Sequence, residues 1–226
     1  MDPRAKRLTK NVEKFEVVLE NESEKDKEEY KLEMAKAHAW ETAKSLIIVR
    51  GSEADPEYME KQARKIAATS DLVKEVRVLD GEQLVKEGMN LFWNVGKGAM
   101  SPPRCVMIHY VGRPEEADVV DLALVGKGIT YDTGGLNIKM AMMEAMYGDK
   151  GGSCAVLGAL TGCIELKVKK NVVFACAFAE NAIGADCYKP SDILRAMNGL
   201  SVEIGNTDAE GRLVMSDTMT SVQRNF

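Results

Sequence analysis

The second half of the chain is dominated by dense apolar segments, which constrain the fold more than any other feature. Residues 105–110, 119–125 and 171–179 are short and rich in β-branched or aromatic side chains, which predicts strands. Residues 153–164 are apolar on nearly every side, which predicts a buried helix. Strands that read as continuous apolar runs and alternate with helices are typical of α/β folds. We therefore expect an α/β protein with a mostly parallel sheet flanked by helices on both faces.

Weaker periodic patterns predict the remaining elements. Helices are expected at residues 31–48, 55–68, 80–88, 191–197 and 213–224, and strands at 73–79 and 201–204. Residues 1–31 are more than half charged and contain one candidate strand at 15–19. Because so charged a segment has little apolar surface to bury, it is expected to remain solvated. The sequence thus predicts a charged N-terminal arm at 1–30 and a folded domain at 31–226.

Charge and cysteine usage narrow the functional class. The net charge of -5 argues against a general nucleic-acid or membrane-surface binder, because such binders need excess basic charge. No apolar run reaches the roughly 18–20 residues that span a bilayer, and the first residues lack an apolar signal segment. The five cysteines form no C-x-x-C pair and lie mostly in apolar surroundings, which predicts buried reduced thiols. We expect a cytoplasmic protein with no membrane partner, and nucleic-acid binding is disfavoured.

A glycine-rich segment at residues 125–135 contains Lys127 and Asp132 and begins where a predicted strand ends. In α/β sheets this carboxyl edge is where binding sites form, and glycines let the backbone approach a ligand closely. An ordinary turn with a surface lysine and aspartate explains the segment equally well. The chain has only two histidines, so a metal site would have to use carboxylates instead of a histidine cluster.

Two neighbouring segments carry isolated charged residues. Lys139 lies in a short polar stretch and is uninformative by itself, because most such lysines are solvated. Asp149 lies between glycines just before the predicted buried helix. A helix N-terminus preceded by glycines can hold an anion. Asp149 can also be a simple helix N-cap, which is the stronger interpretation when the segment is taken alone.

The segment at residues 206–212 concentrates the most unusual set of side chains. On an extended chain, residues two apart face the same side, so Asp208, Glu210 and Arg212 would project together. Two carboxylates and a guanidinium on one face, with small residues between them, suit a cation site with an anion bound alongside. A surface cluster of ion pairs is the alternative.

Taken together, these segments resemble the leucyl aminopeptidases of the M17 family. The shared strings, in order, are Gly-Lys-Gly-Ile-Thr-Tyr-Asp-Thr-Gly-Gly at 126–135, Asn-Ile-Lys at 137–139, Gly-Asp-Lys-Gly-Gly at 148–152, and Asn-Thr-Asp-Ala-Glu-Gly-Arg-Leu at 206–213. The last string is highly specific to that family, and supporting similarity runs from about residue 31 to 226. The resemblance implies a metal-dependent hydrolase that removes leucine-like residues from peptide N-termini through a water activated by two metal ions.

The resemblance also implies roles for seven side chains. Two divalent ions (zinc, manganese or cobalt) would be held by Lys127, Asp132, Asp149, Asp208 and Glu210. Lys139 and Arg212 would be catalytic, with Arg212 binding a bicarbonate that serves as general base. Four carboxylates offer enough oxygen atoms to bridge a metal pair about 3.5–4 Å apart. A lysine can ligate only as the neutral amine, which two nearby dications favour.

The chain departs from the family pattern in three respects. The interval from Lys139 to Asp149 is ten residues, about one shorter than usual, and Lys150 stands where many members carry methionine. Members are about twice this length, with a separate N-terminal domain, and assemble as homo-hexamers. We therefore interpret residues 1–30 as an arm or a remnant of that domain, and 31–226 as part of the catalytic domain. The alternative, a catalytically silent structural or binding protein, is disfavoured because all seven motif residues are present.

Overall fold

The computed structural model describes residues 23–226, so the candidate strand at 15–19 lies outside the described residues. Its helices are α1 (Glu24–Ile47), α2 (Pro56–Ala67), α3 (Gly81–Lys86), α4 (Asn90–Gly96), α5 (Gly151–Leu166) and α6 (Glu210–Asn225). Its strands are β1 (Val73–Leu79), β2 (Arg104–Val111), β3 (Leu122–Asp132), β4 (Asn171–Asn181), β5 (Ile193–Arg195) and β6 (Ser201–Glu203). Short 3₁₀ helices lie at Pro114–Glu116, Met143–Gly148 and Thr207–Ala209. Residues 34–226 form one compact unit, which holds every feature discussed below.

The main sheet has four strands in the order β1-β2-β4-β3. Strands β3 and β4 are parallel, whereas β1 pairs with β2, and β2 with β4, in antiparallel fashion. The α/β class is confirmed, but the expectation of a mostly parallel sheet was wrong for the described residues, because the sheet is mixed. Apolar runs do not indicate strand direction, because a central strand covered on both faces is continuously apolar whether it is parallel or antiparallel to its neighbours. Both β2 and β4 are buried along almost their whole length.

Helices cover both faces of this sheet, as expected. Alternate residues of β2 point in opposite directions, so Met107 packs among residues of α4 and α6 while Ile108 packs among residues of α2 and α5. Phe174 on β4 is fully buried on the same side as Ile108. Complete burial of one such side chain contributes about 1.5–3 kcal/mol. The two apolar layers hold the ends of the central strands in place, and the candidate site lies at one of those ends.

Two helix starts show how local chemistry sets the element bounds. Asp55 caps α2 as predicted, because its Oδ1 accepts a hydrogen bond from Tyr58 N at 2.7 Å and Pro56 occupies the first turn. At α5 the N-cap residue is Lys150, with no side-chain cap. The interpretation of Asp149 as a simple N-cap was therefore wrong.

The glycine-rich segment does not follow a strand but lies inside one. Strand β3 continues through Gly126 and Gly128 to Asp132 because both glycines stay paired with β4. A Cβ at Gly126 would lie 2.6 Å from the carbonyl carbon of Gly152, and one at Gly128 would lie 2.5 Å from Ser153 Oγ. The glycines thus allow β3 to approach the first turn of α5 closely, and this places Lys127 beside that turn.

The helix expected at residues 191–197 was wrong. Residues Ile193–Arg195 form β5, which pairs with β6 in an antiparallel hairpin. Asp192 Oδ2 accepts a hydrogen bond from Lys189 N at 2.8 Å, and Ser191 adopts a left-handed φ of 74°. This local turn competes with a helical first turn and directs the chain into the hairpin.

The cysteines follow the sequence expectation. All five are free thiols; Cys163 is partly exposed and the other four are buried. Burial raises the pKa of Cys105 to about 12, so that thiol is inert. Within residues 23–226 none of the helices combines the length and apolar character needed to cross a bilayer.

Candidate metal centre

The candidate site is built where the parallel strands β3 and β4 end. Parallel strands bring their carboxyl ends to the same edge, so Asp132 and Asn181, the last residues of the two strands, meet there. Asn181 Nδ2 donates a hydrogen bond to Asp132 Oδ1 at 2.8 Å. The register between the strands is irregular between Ile129 and Asp132, and such an irregularity redirects the side chains that follow it. The carboxyl edge predicted from the sequence therefore holds Asp132, but Lys127 reaches the site from within the strand.

Lys127 forms one of two lysine-centred groups at the site. Its Nζ lies 2.8 Å from Asp149 Oδ2 and 2.6 Å from Glu210 Oε1. Asp149 follows the 3₁₀ helix that precedes α5, and Glu210 is the first residue of α6. Three segments that are distant in sequence thus converge on one ammonium group.

Lys139 forms the second group. Its Nζ lies 2.9 Å from Asp132 Oδ2 and 2.6 Å from Asp208 Oδ1. The loop that carries it is fixed to the strand end, because Lys139 N donates to Thr133 O at 2.9 Å and Thr133 Oγ1 donates to Asn181 O at 2.7 Å. The short interval between Lys139 and Asp149 therefore still lets both residues reach the same site.

Three carboxylates come close enough to share a cation. Asp132, Asp208 and Glu210 each offer one oxygen atom, and these atoms lie within 4.8 Å of one another. Among residues 23–226 no other group of three histidine, cysteine or acidic side chains comes so close. Asp132 and Glu210 are buried, and Asp208 is exposed. Asp149 is linked to these three carboxylates by Lys127, which forms ion pairs with both Asp149 and Glu210.

At this site burial and neighbouring charges shift the pKa values of the side chains in opposite directions. Burial disfavours the charged forms of Lys127 and Lys139, but the neighbouring carboxylates outweigh it and raise the pKa of both lysines. Burial raises the pKa of Asp149 and of Glu210, and the ammonium of Lys127 offsets this only in part. Four carboxylates face two ammonium groups, so the ionised site carries an excess of negative charge.

Two acceptor oxygens at the site remain without a hydrogen bond. They are Asp149 Oδ2, which Lys127 Nζ approaches outside hydrogen-bond geometry, and Asn181 Oδ1. Both atoms are buried; the ion pair with Lys127 stabilises Asp149 Oδ2, whereas Asn181 Oδ1 has no partner in the described chain, which costs free energy. Unpaired oxygens beside an excess of carboxylates are the donor set that divalent cations prefer. The residues present therefore fit a cation site.

The segments that carry the carboxylates are held together by hydrogen bonds from residues that were not predicted to be functional. Thr207 is fully buried; its Oγ1 donates to Gly134 O at 2.6 Å and accepts from Asn137 N at 2.8 Å. Its carbonyl accepts from Tyr188 Oη at 2.6 Å and from Asn181 Nδ2 at 3.0 Å. In the sequence pattern Thr207 is only one of the small residues around the acids, so its position beside Asp208 and Glu210 is the only signal for it. Asn181 lies two residues beyond the strand predicted at 171–179, and that position is its only signal.

The extended conformation expected at residues 206–212 was wrong. Thr207–Ala209 form a 3₁₀ turn and α6 begins at Glu210, so side chains two apart diverge. Glu210 is buried against Lys127, whereas Arg212 is exposed. Within the described chain Arg212 makes no hydrogen bond or ion pair with the carboxylates. The structure therefore brings together Lys127, Asp132, Lys139, Asp149, Asp208 and Glu210, and leaves Arg212 facing solvent at the start of α6.

Known proteins are similar to the part of the chain that contains this site. Residues 41–226 match the family model described as the cytosol aminopeptidase family, catalytic domain. A protein of Aquifex aeolicus named "Probable cytosol aminopeptidase" is 39% identical over 214 residues, which cover 93% of this chain and 42% of that protein. A protein of the same name from Alkaliphilus oremlandii is 42% identical over 179 residues, which cover 79% of this chain and 35% of that protein. The chain thus spans well under half the length of these relatives.

Proposed function

The chain belongs to the cytosol aminopeptidase family, and on that premise we propose that it carries the metal centre of an aminopeptidase that removes leucine-like residues from peptide N-termini. The observation that carries the proposal is the pair of lysine-centred groups at the end of β3. Lys127 and Lys139 each lie within 3 Å of two carboxylates, and the four carboxylates come from three separate segments of the chain. A surface cluster of ion pairs would not need this convergence or this burial.

Five side chains would hold two divalent ions, namely Lys127, Asp132, Asp149, Asp208 and Glu210. The close approach of oxygen atoms from Asp132, Asp208 and Glu210 and the excess of carboxylates over ammonium groups support this set. Lys127 would take part as a neutral amine, a form that nearby dications favour because they repel its proton. When bound, two such ions would lower the pKa of a water molecule and polarise the peptide carbonyl. Zinc, manganese and cobalt all suit these donors.

Lys139 and Arg212 would complete the chemistry. Lys139 is not assigned as a ligand, so it can keep its charge and donate a hydrogen bond to the oxygen of the scissile carbonyl, where negative charge develops. The loop contacts of Lys139 N hold it near the carboxylates while leaving its side chain partly exposed. Arg212, exposed and without a protein partner in the described chain, can present its planar fork to a bicarbonate, and that ion would accept a proton as general base. A homo-hexamer remains a prediction from the family resemblance, and a cytoplasmic location remains a prediction from the composition and the cysteines.

The proposal is tested by metal analysis combined with turnover. The full-length protein that contains this chain should bind two divalent ions per chain and hydrolyse leucine p-nitroanilide, and a chelator should abolish the turnover. Metal bound without turnover would favour the alternative of a catalytically silent family member. Turnover that survives complete removal of metal would show that the cluster is not the centre of the activity.

A further inference from the structure

Lys150 is a fully buried lysine whose role the sequence did not explain. Its side chain is 0% exposed, and its Nζ donates hydrogen bonds to Ile47 O at 3.1 Å, to Val49 O at 2.8 Å and to Tyr147 O. No carboxylate of the described chain pairs with it. An ammonium group has three N–H donors, and three carbonyl oxygens accept all of them. Within residues 23–226 the hydrogen bonds that stabilise the charge of Lys150 therefore come from backbone carbonyl groups.

The three carbonyl groups come from two segments that lie far apart in sequence. Ile47 is the last residue of α1, so its carbonyl has no hydrogen-bond partner within the helix. Val49 lies two residues further along the chain. The partial negative charge at that helix end favours a cation nearby. Tyr147 lies in the 3₁₀ helix just before α5, and its carbonyl supplies the third oxygen. A single cation thus ties the end of α1 to the start of α5.

Among the described residues, the surroundings of Lys150 contain a further positive charge, and no carboxylate forms an ion pair with Lys150. The guanidinium of Arg50 lies 3.7 Å from the centre of the Tyr147 ring, and Lys150 Nζ lies 5.8 Å from the same centre. Two cations near one aromatic ring attract it but repel each other. Burial lowers the pKa of Lys150, which shows the cost of placing an ammonium here. The three carbonyl dipoles, with a weaker contribution from the Tyr147 ring, offset that cost.

We propose that the carbonyl groups of Ile47, Val49 and Tyr147 form a monovalent-cation site that this chain fills with its own Lys150 ammonium. Converging backbone carbonyls are the chemistry that replaces the hydration shell of potassium, and ammonium is a cation of similar size. Lys150 is then a positioning residue. It fixes the backbone of residues 147–150 against residues 47–49, and Asp149 projects towards Lys127 from that backbone. The inference concerns cation binding and does not depend on the proposed peptidase activity.

The test is the substitution Lys150→Met, which keeps an unbranched side chain, shorter by one atom, and removes the charged nitrogen. In choline chloride the full chain should show a Tm lowered by about 5–10 °C, because three buried carbonyls lose their donors. Potassium or ammonium chloride at equal ionic strength should restore about half of that loss or more, in a saturable way, because a cation that binds only the folded state stabilises it. Lithium, which is too small to touch all three oxygens, should restore little. The unmutated chain and the matched variant Lys169→Met, at an exposed lysine, should show no preference among these salts.

Two results would overturn the proposal. One is a Lys150→Met chain whose Tm is the same in choline and potassium; the other is an unmutated chain with an equal potassium response, which would place the effect elsewhere. If the variant does not fold, Lys150→Ala offers more room for an added ion and is judged by the same salt comparison. The unmutated chain provides an independent measurement by ¹H–¹⁵N NMR. It should show a lysine NH₃⁺ signal with slow hydrogen exchange, and fast exchange of every lysine ammonium with water would rule out the buried three-carbonyl site.

Discussion

Gly211 lies directly against the side chain of Lys127. A Cβ at position 211 would lie 2.6 Å from Lys127 Cδ, 2.7 Å from Cε and 2.9 Å from Nζ. Gly211 belongs to α6, where alanine would otherwise be the better helix former. The glycine is therefore required by the lysine that α6 packs against and not by the conformation of its own backbone.

The substitution Gly211→Ala should displace Lys127 and weaken the metal centre. We expect metal affinity and turnover to fall by about 10–100-fold, the range seen when the support of a metal ligand is lost. The intrinsic helix preference of about 0.5–1 kcal/mol for alanine offsets part of any loss of stability. Metal titration and denaturant unfolding measure the two effects separately. Gly162→Ala, within α5, is the matched control, because its Cβ would make an ordinary 3.4 Å contact with Ala39 Cβ. It should leave metal affinity unchanged and raise the free energy of unfolding by about 0.5–1 kcal/mol through the same helix preference.

Replacing Asp208 or Glu210 by alanine should abolish metal-dependent turnover. Each change removes a charged oxygen from the group of three carboxylates, and Glu210→Ala also deprives Lys127 of a partner at 2.6 Å. Metal content per chain and leucine p-nitroanilide turnover are the measurements. Glu203→Ala, at an exposed position on β6, should behave as the unmutated protein. Near-normal turnover with two bound metals in either variant would show that these residues are not ligands.

Replacing Lys139 by alanine should leave the metals bound and lower kcat. The expected loss is on the order of 10²–10³-fold, the usual effect of removing one group that stabilises an oxyanion. Asp132 and Asp208 lose only a competing ammonium, so metal content should not fall. Loss of metal together with activity would instead make Lys139 a ligand or a structural residue.

The substitution Thr207→Val should destabilise the fold around the site. The valine keeps the shape of the side chain but leaves Gly134 O and Asn137 N without their partner. Gly134 is buried, whereas Asn137 is exposed, so the loss falls mainly on Gly134 O and the free energy of unfolding should fall by about 1–3 kcal/mol. Urea denaturation measures this change. Thr220→Val is the control, since Thr220 Oγ1 bonds only to Ser216 O of its own helix, and a loss equal to that of Thr207→Val would contradict the special role of Thr207.

The residue pattern by itself made only part of the site predictable. It pointed to Asp208 and Glu210, two carboxylates among small residues, whereas Asp132 and Asp149 had equally good or better ordinary interpretations. The resemblance to the family strings added Asp132, Asp149, Lys127 and Lys139. The structure brings these six residues together. Asn181 and Thr207 escaped because an asparagine at a strand end and a threonine in a turn are ordinary in any sequence. Their contacts join positions up to 73 residues apart, which no local pattern reports.

The sequence by itself determined the α/β class and the apolar segments that become β2, β4 and α5, because the hydrophobicity of a segment can be read from its own residues. It also determined which charged residues are available for chemistry. Tertiary structure alone decided three things: the antiparallel pairing of β2 with β4, the exposure of Arg212, and the burial of Lys150 among the carbonyls of Ile47, Val49 and Tyr147. A run of apolar residues is the same for either strand direction. From sequence alone Lys150 is expected to be solvated, because its acceptors come from a segment about 100 residues away and only packing brings them together. These features depend on long-range packing, which the order of residues specifies only through the fold as a whole.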